Sequence, residues 1–205
     1  IRARSCFFNK LHIVLVNFKL RHICVFSIKK LMKSKGNIVF LGMMGSGKTT
    51  IGKLISKKLE LDFFDIDNCI EKKIGMKISK IFSDYGEKFF REIEEKITLQ
   101  ILKKKNVVIA LGGGGFLNGK IKKEILNNHI SFWLHLSSEK IIKRLRGSAN
   151  RPLIKDISKN ELINLIKKRS NFYSKALYKV NCDNLSKIEI VNKVINIYES
   201  NEVNN

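Results

Sequence analysis

From Asn37 onward the chain alternates between two hydrophobic patterns. Short unbroken apolar runs suit strands buried on both faces of a parallel sheet. Between them, apolar residues recur at the three-to-four spacing of an amphipathic helix. The runs predict strands over residues 38–41, 62–66, 106–111, 130–136 and 178–181. The spacing predicts helices over 48–59, 68–74, 78–82, 86–103, 119–127, 139–146, 159–172 and 187–198. In the first of these, Ile51, Leu54, Ile55 and Leu59 share one face. Ser137 or Ser138 stands where a side chain caps the helix that follows. Residues 147–158 read as a polar loop holding the only proline. Strand-helix alternation of this kind predicts one α/β domain over residues 37–200, a three-layer α/β/α sandwich with a mostly parallel five-stranded sheet. Residues 201–205 are a short tail.

The first 36 residues break the pattern. They begin with Ile, contain no acid, and carry nine Lys or Arg, with a short apolar run over 11–18. Three readings stand. The segment is upstream sequence ahead of a true start at Met32, a basic targeting segment, or a disordered or interacting arm. Met32 lies a few residues before the first strand, which favours the first. The whole chain of 205 residues has a net charge of +22, so the remainder carries +13. Such a charge attracts anions, nucleic acid among them. Beyond the N-terminus, however, the lysines are spread evenly, as on a solvated surface. Neither nucleic acid nor a membrane is therefore expected as a partner. The four cysteines show no metal-ligand spacing and are expected as reduced thiols in a cytoplasmic protein. No run of 18 apolar residues occurs.

Gly42-Met43-Met44-Gly45-Ser46-Gly47-Lys48-Thr49-Thr50 fits G-x-x-x-x-G-K-[ST] between a predicted strand and a predicted helix. Glycines let backbone N–H groups curl around a phosphate, and the helix N-terminus adds partial positive charge. Lys48 reaches the β- and γ-phosphates, and Thr49 offers a hydroxyl to Mg²⁺. The loop implies a nucleotide without naming a reaction. Asp65 and Asp67 close the second strand. Residues two apart on a strand face one side, which points both carboxylates at the cleft beyond the strand ends. One then serves the metal and the other the attacking hydroxyl. The competing reading is a solvated turn in which Asp67 caps the next helix.

Three further features carry chemistry. Arg91 and Glu94, three apart on a helix, share a face; periodicity alone reads them as a surface ion pair. Gly112, Gly113, Gly114 and Gly115 follow the strongest strand, which is placed beside the phosphate-loop strand, and let backbone approach a ligand. No aspartate ends that strand, so Asp65 must supply the acid. The loop after Arg144 carries Arg151, suited to a lid that excludes water and steadies charge on the transferred phosphate. Arg169 approaches from the other side.

The order of these motifs, with Phe89-Phe90-Arg91-Glu92-Ile93-Glu94, Arg151-Pro152-Leu153 and Lys168-Arg169-Ser170-Asn171-Phe172-Tyr173 after the loop and the acidic pair, resembles the shikimate kinase family. The resemblance implies a P-loop kinase fold with a mobile lid, MgATP and shikimate as ligands, and a monomer. It also assigns roles. Gly45, Ser46, Gly47, Lys48, Thr49 and Thr50 hold the ATP phosphates, with Arg144 and Arg151 beside them. Thr49 and Asp65 hold Mg²⁺. Asp67 contacts the shikimate hydroxyls as candidate base. Arg91 and Arg169 grip the carboxylate, and Gly112, Gly113 and Gly114 lend backbone. Glu94 orients Arg91, and Phe82 and Phe90 line the pocket. Adenine contacts after residue 180 stay open, because residues 181–187 lack an obvious match.

Overall fold

The apolar runs are strands and the periodic segments are helices throughout residues 36–146 and 158–200, which the structure, a computed structural model, describes. The strands are β1 (Ile38–Leu41), β2 (Asp62–Asp65), β3 (Val107–Ala110), β4 (Ile130–His135) and β5 (Tyr178–Asn181). The helices are α1 (Lys48–Leu59), α2 (Ile66–Ile74), α3 (Ile78–Leu102), α4 (Gly119–Asn128), α5 (Ser138–Arg146), α6 (Lys159–Tyr173) and α7 (Lys187–Ser200). Sheet order is β2-β3-β1-β4-β5, and every neighbouring pair is parallel. The strand expected beside the phosphate-loop strand, β3, is there.

Alternation along the strands builds two cores. Val39, Leu41, Val107, Ile109 and Trp133 pack with Ile97, Ile101, Ile121 and Ile125 of α3 and α4. Their neighbours along the strands point the other way. Phe40 and Phe132, with ring centroids 5.9 Å apart, belong to that second set. Helices α1 and α7 pack on each other and on the sheet. Apolar burial on both faces is why β1 and β3 read as unbroken hydrophobic runs.

Two boundaries differ from expectation. The strand predicted over 62–66 ends at Asp65, and α2 begins at Ile66. Ile66 is buried within the helix-side core, so packing decides the boundary. Helices predicted over 78–82 and 86–103 run as one element, α3, bent at Gly86 (φ 78°, ψ 174°). The predicted break survives as a kink, because only glycine adopts that backbone easily.

The sheet is closed at its lower edge by Asn37, which is buried. Its amide Nδ2 donates to the carbonyls of Leu102 (3.0 Å) and Lys104 (2.8 Å), and its Oδ1 accepts from Val107 N (3.2 Å). Its backbone N–H donates to His129 Nδ1 at 3.1 Å. That bond requires an unprotonated Nδ1. Burial lowers the His129 pKa below its ordinary 6.5, against the opposing pull of Glu124. The unfolded chain therefore binds this proton more tightly. The stabilisation is complete above pH 6.5 and drains away as pH falls through the lowered folded value. Melting temperatures recorded from pH 7.5 down to about 5 should fall, and the fall should be shallower in His129→Gln.

Candidate active site

Glycine follows β1 directly and β3 after one residue, at the C-terminal end of the sheet, and a cleft of about 1360 Å³ opens there. The first wall is the loop between β1 and α1. Gly45 (φ 80°) and Gly47 (φ 100°) hold the left-handed backbone that curls it. Lys48 Nζ donates to the carbonyls of Gly42 (2.9 Å) and Met43 (3.0 Å), lying along the loop it closes. The Ser46 hydroxyl is buried and meets no partner among the described residues. Arg144, on α5, donates from Nη1 to Gly45 O at 3.0 Å.

The acids come from β2 and α2. Asp65 lies opposite Ala110 in the β2–β3 register. It therefore stands one strand away from the end of β3, where no carboxylate is found. Its Oδ2 accepts from the Thr49 hydroxyl at 2.6 Å, and its Oδ1 accepts from Asn68 N at 3.3 Å, capping α2. Asp65, not Asp67, is thus the cap. Asp67 sits in the first turn of α2 and still faces the cleft, so strand alternation was the wrong reason for a correct placement. Burial and the neighbouring Asp65 charge push the Asp67 pKa above 3.8, with Lys48 and Arg91 opposing.

Opposite stand the guanidinium groups. Arg91 Nη1 donates to Glu94 Oε2 at 2.6 Å, and its Nε and Nη2 donate to the exposed Glu87 at 3.2 and 3.1 Å. Glu94 is only 2% exposed, so this is not a surface pair. Burial raises the Glu94 pKa, with Arg91 pulling it back. Arg169, on α6, has a buried Nε with no acceptor among the described residues, and its Nη1 lies 3.8 Å from Met43 Sδ. Gly113 and Gly114 line the cleft, and all three glycines are approached by site side chains. A Cβ at Gly112 would lie 2.7 Å from Glu94 Oε1 and 2.8 Å from Asp67 Oδ1; one at Gly114 would lie 2.5 Å from Arg91 Nη1. Phe82 and Phe90, with centroids 4.6 Å apart, complete this side. Arg151 lies outside the described residues.

Several residues were not foreseen. Tyr173, one helical turn beyond Arg169, donates its hydroxyl to Gly113 O, and burial pushes its pKa up to about 12. Leu185, Lys187 and Ile190 line the cleft after residue 180, where the sequence offered no pattern. Glu71, Lys77 and Ile78 line it as well. Nothing local in the sequence marks them, because α2 and α3 bring them together.

A strand-loop-helix phosphate cradle on an all-parallel sheet, faced by acids and guanidinium groups, defines a P-loop kinase. The family model described as shikimate kinase matches residues 44–199. The shikimate kinase of Thermodesulfovibrio yellowstonii is 43% identical over 164 residues, covering 80% of this chain and 95% of that protein. That of Caldicellulosiruptor bescii is 42% identical, covering 81% and 97%. Among solved structures, shikimate kinase from Acinetobacter baumannii in complex with shikimate superposes with a TM-score of 0.78 at 29% identity, covering 84% of this chain and 97% of that one. A gluconokinase from Sinorhizobium meliloti, at 17% identity and a TM-score of 0.54, shares the fold. The chain belongs to the shikimate kinase family.

The raised Asp67 pKa means that the folded state disfavours its ionised form. That cost is absent below pH 3.8 and complete above the raised folded value. With EDTA present, Asp67→Asn should melt higher than the unaltered protein at pH 7.5, and the gap should close towards pH 4.

Proposed function

We propose that this protein transfers the γ-phosphate of MgATP to the 3-hydroxyl of shikimate, giving shikimate 3-phosphate and ADP, a step towards chorismate and the aromatic amino acids. One observation carries the reading. The phosphate loop, the Asp67 carboxylate and the two guanidinium groups of Arg91 and Arg169 border a single cleft.

The residues divide the work as follows. Backbone N–H groups over Gly45–Thr50 and the N-terminus of α1 hold the phosphates. Lys48 exchanges the loop carbonyls for β- and γ-phosphate oxygens, and Arg144 lies beside them. The direct contact of Thr49 and Asp65, both hard oxygen donors, fits a Mg²⁺ site. When bound, the ion offsets charge on the β- and γ-phosphates. Arg169, with its unmatched Nε, and Arg91 grip the substrate carboxylate; the exposed Glu87 yields its place on Arg91, while the buried Glu94 keeps that guanidinium aimed. Gly112, Gly113 and Gly114 allow close approach of backbone. Asp67, its pKa raised towards that of a useful base, takes the proton of the 3-hydroxyl. That oxygen bonds to the γ-phosphorus as the bond to ADP breaks. Arg151 closes the site and balances charge on the phosphoryl group in flight. It lies in the chain between Arg144 and Arg169, both of which border the cleft.

A coupled assay for ADP release tests this. ADP should appear with MgATP and shikimate together, and not with ATP alone. Equal release without shikimate, or preference for gluconate or a nucleoside monophosphate, would overturn the assignment. Loss of charge-assisted bonds to the carboxylate should raise the shikimate KM of Arg91→Ala by about 10- to 100-fold with the ATP KM little changed. Gly114→Ala should act in the same direction, since its methyl group displaces the Arg91 guanidinium. Arg151→Ala should lower kcat by about a hundredfold or more while leaving substrate binding largely intact.

A further inference from the structure

The substrate end of the cleft is formed by the first turns of α3, where Ile78, Ser79 and Phe82 line the wall. This stretch is attached to the fold in an unusual way. It is bounded by Gly75 (φ 73°) and Gly86 (φ 78°), both in the left-handed backbone region. A Cβ at either position would meet nothing within 4 Å, so conformation and not crowding calls for glycine there. The N-cap residue of α3, Lys77, makes no side-chain cap bond. The first helical N–H is instead satisfied from the preceding helix: Ile78 N donates to Glu71 Oε1 at 3.0 Å. Glu71 Oε2 takes a second bond from Lys77 Nζ at 3.0 Å.

Glu71 lies four residues after Asp67 on α2, hence on the same face of that helix. One side chain therefore links the helix that carries the candidate base to the helix that carries the apolar wall. A carboxylate at a helix N-terminus is favoured by the helix dipole as well as by the bond itself. The Glu71 pKa is held low by its bonds from Ile78 and Lys77, although burial acts the other way. The Lys77 side chain is 80% exposed, so its ion pair contributes little, and the bond to Ile78 is the stronger tie.

We propose that Glu71 is a positioning residue for the substrate: its carboxylate caps α3 from outside and fixes Ile78 and Phe82 relative to Asp67. The proposal rests on the shikimate kinase reading for its kinetic consequence, but not for its structural one.

Three variants test it. Glu71→Gln keeps an oxygen acceptor of the same reach for Ile78 N. Glu71→Asp keeps the charge but is one methylene too short, and Glu71→Ala removes both. In steady-state kinetics with both substrates varied, Asp and Ala should raise the shikimate KM by about tenfold, with the ATP KM changed less than about twofold. Gln should restore most of the loss. Hydrogen exchange followed by mass spectrometry should find the amides of residues 78–82 exchanging faster in the Asp and Ala variants and not in Gln. If Ala fails to fold, Asp against Gln decides the matter. A shikimate KM unchanged in Asp, equal rises in both KM values, or a Gln variant as impaired as Ala overturns the proposal. So does unchanged exchange over residues 78–82. If the unaltered protein fails to phosphorylate shikimate, the functional reading fails, and the exchange comparison still judges the tie.

Discussion

Charge balance around Gly112 is the constraint on which the site depends. Asp67 and Glu94 approach this one residue from two helices, so closely that a single methyl group would touch both carboxylates. Burial disfavours both charges and is the main reason that both carboxyl pKa values are raised; the Asp65 charge adds to it at Asp67, and the Asp67 charge adds to it at Glu94. Arg91, Arg169 and Lys48 offset that cost from three separate elements. The result is a cleft whose acids are held ready by cations that also suit an anionic substrate. Stability is given up where charge must later be handled, as happens at many functional sites.

Sheet order makes this balance achievable. Placing β3 between β2 and β1 sets the glycine turn between the acid-bearing β2–α2 junction and the phosphate loop. The β2–β3 register puts Asp65 opposite Ala110, and from there it reaches Thr49 across the end of β3. A small residue at the end of β3 leaves that path open. The buried hydrogen-bonding side chain of Asn37 holds the opposite end of the sheet, joining β1 to the α3–β3 connection. The glycine-rich loop thus follows directly from a central strand, while Asp67 and Ile78 sit on helices α2 and α3, which the bond from Ile78 N to Glu71 joins.

Much of the site was legible because its motifs are local. The phosphate loop needs consecutive residues, glycine included, and its strand-helix setting shows in the hydrophobic pattern. Asp65, Asp67, Arg91 and Arg169 were legible through the order of motifs. Periodicity alone misjudged two of them. It made Arg91–Glu94 a surface pair, because spacing on a helix says nothing of what covers it, and Glu94 proves to be buried. It also left Asp67 open as a helix cap in the competing reading, because the strand was expected to run one residue too far; burial of Ile66 starts the helix earlier and hands the cap to Asp65. Tyr173, Glu71 and the residues after 180 carried no signal, since each acts through a partner distant along the chain or on a separate element.

The sequence by itself determined the strand-helix alternation, the parallel sheet and the phosphate cradle, because hydrophobic period and glycine placement are properties of neighbouring residues. Tertiary structure alone decided which carboxylates are buried, which hydroxyl meets which acid, and which helix is capped from outside. Those depend on distances between segments far apart in the chain, and such distances exist only once the sheet has set its strand order.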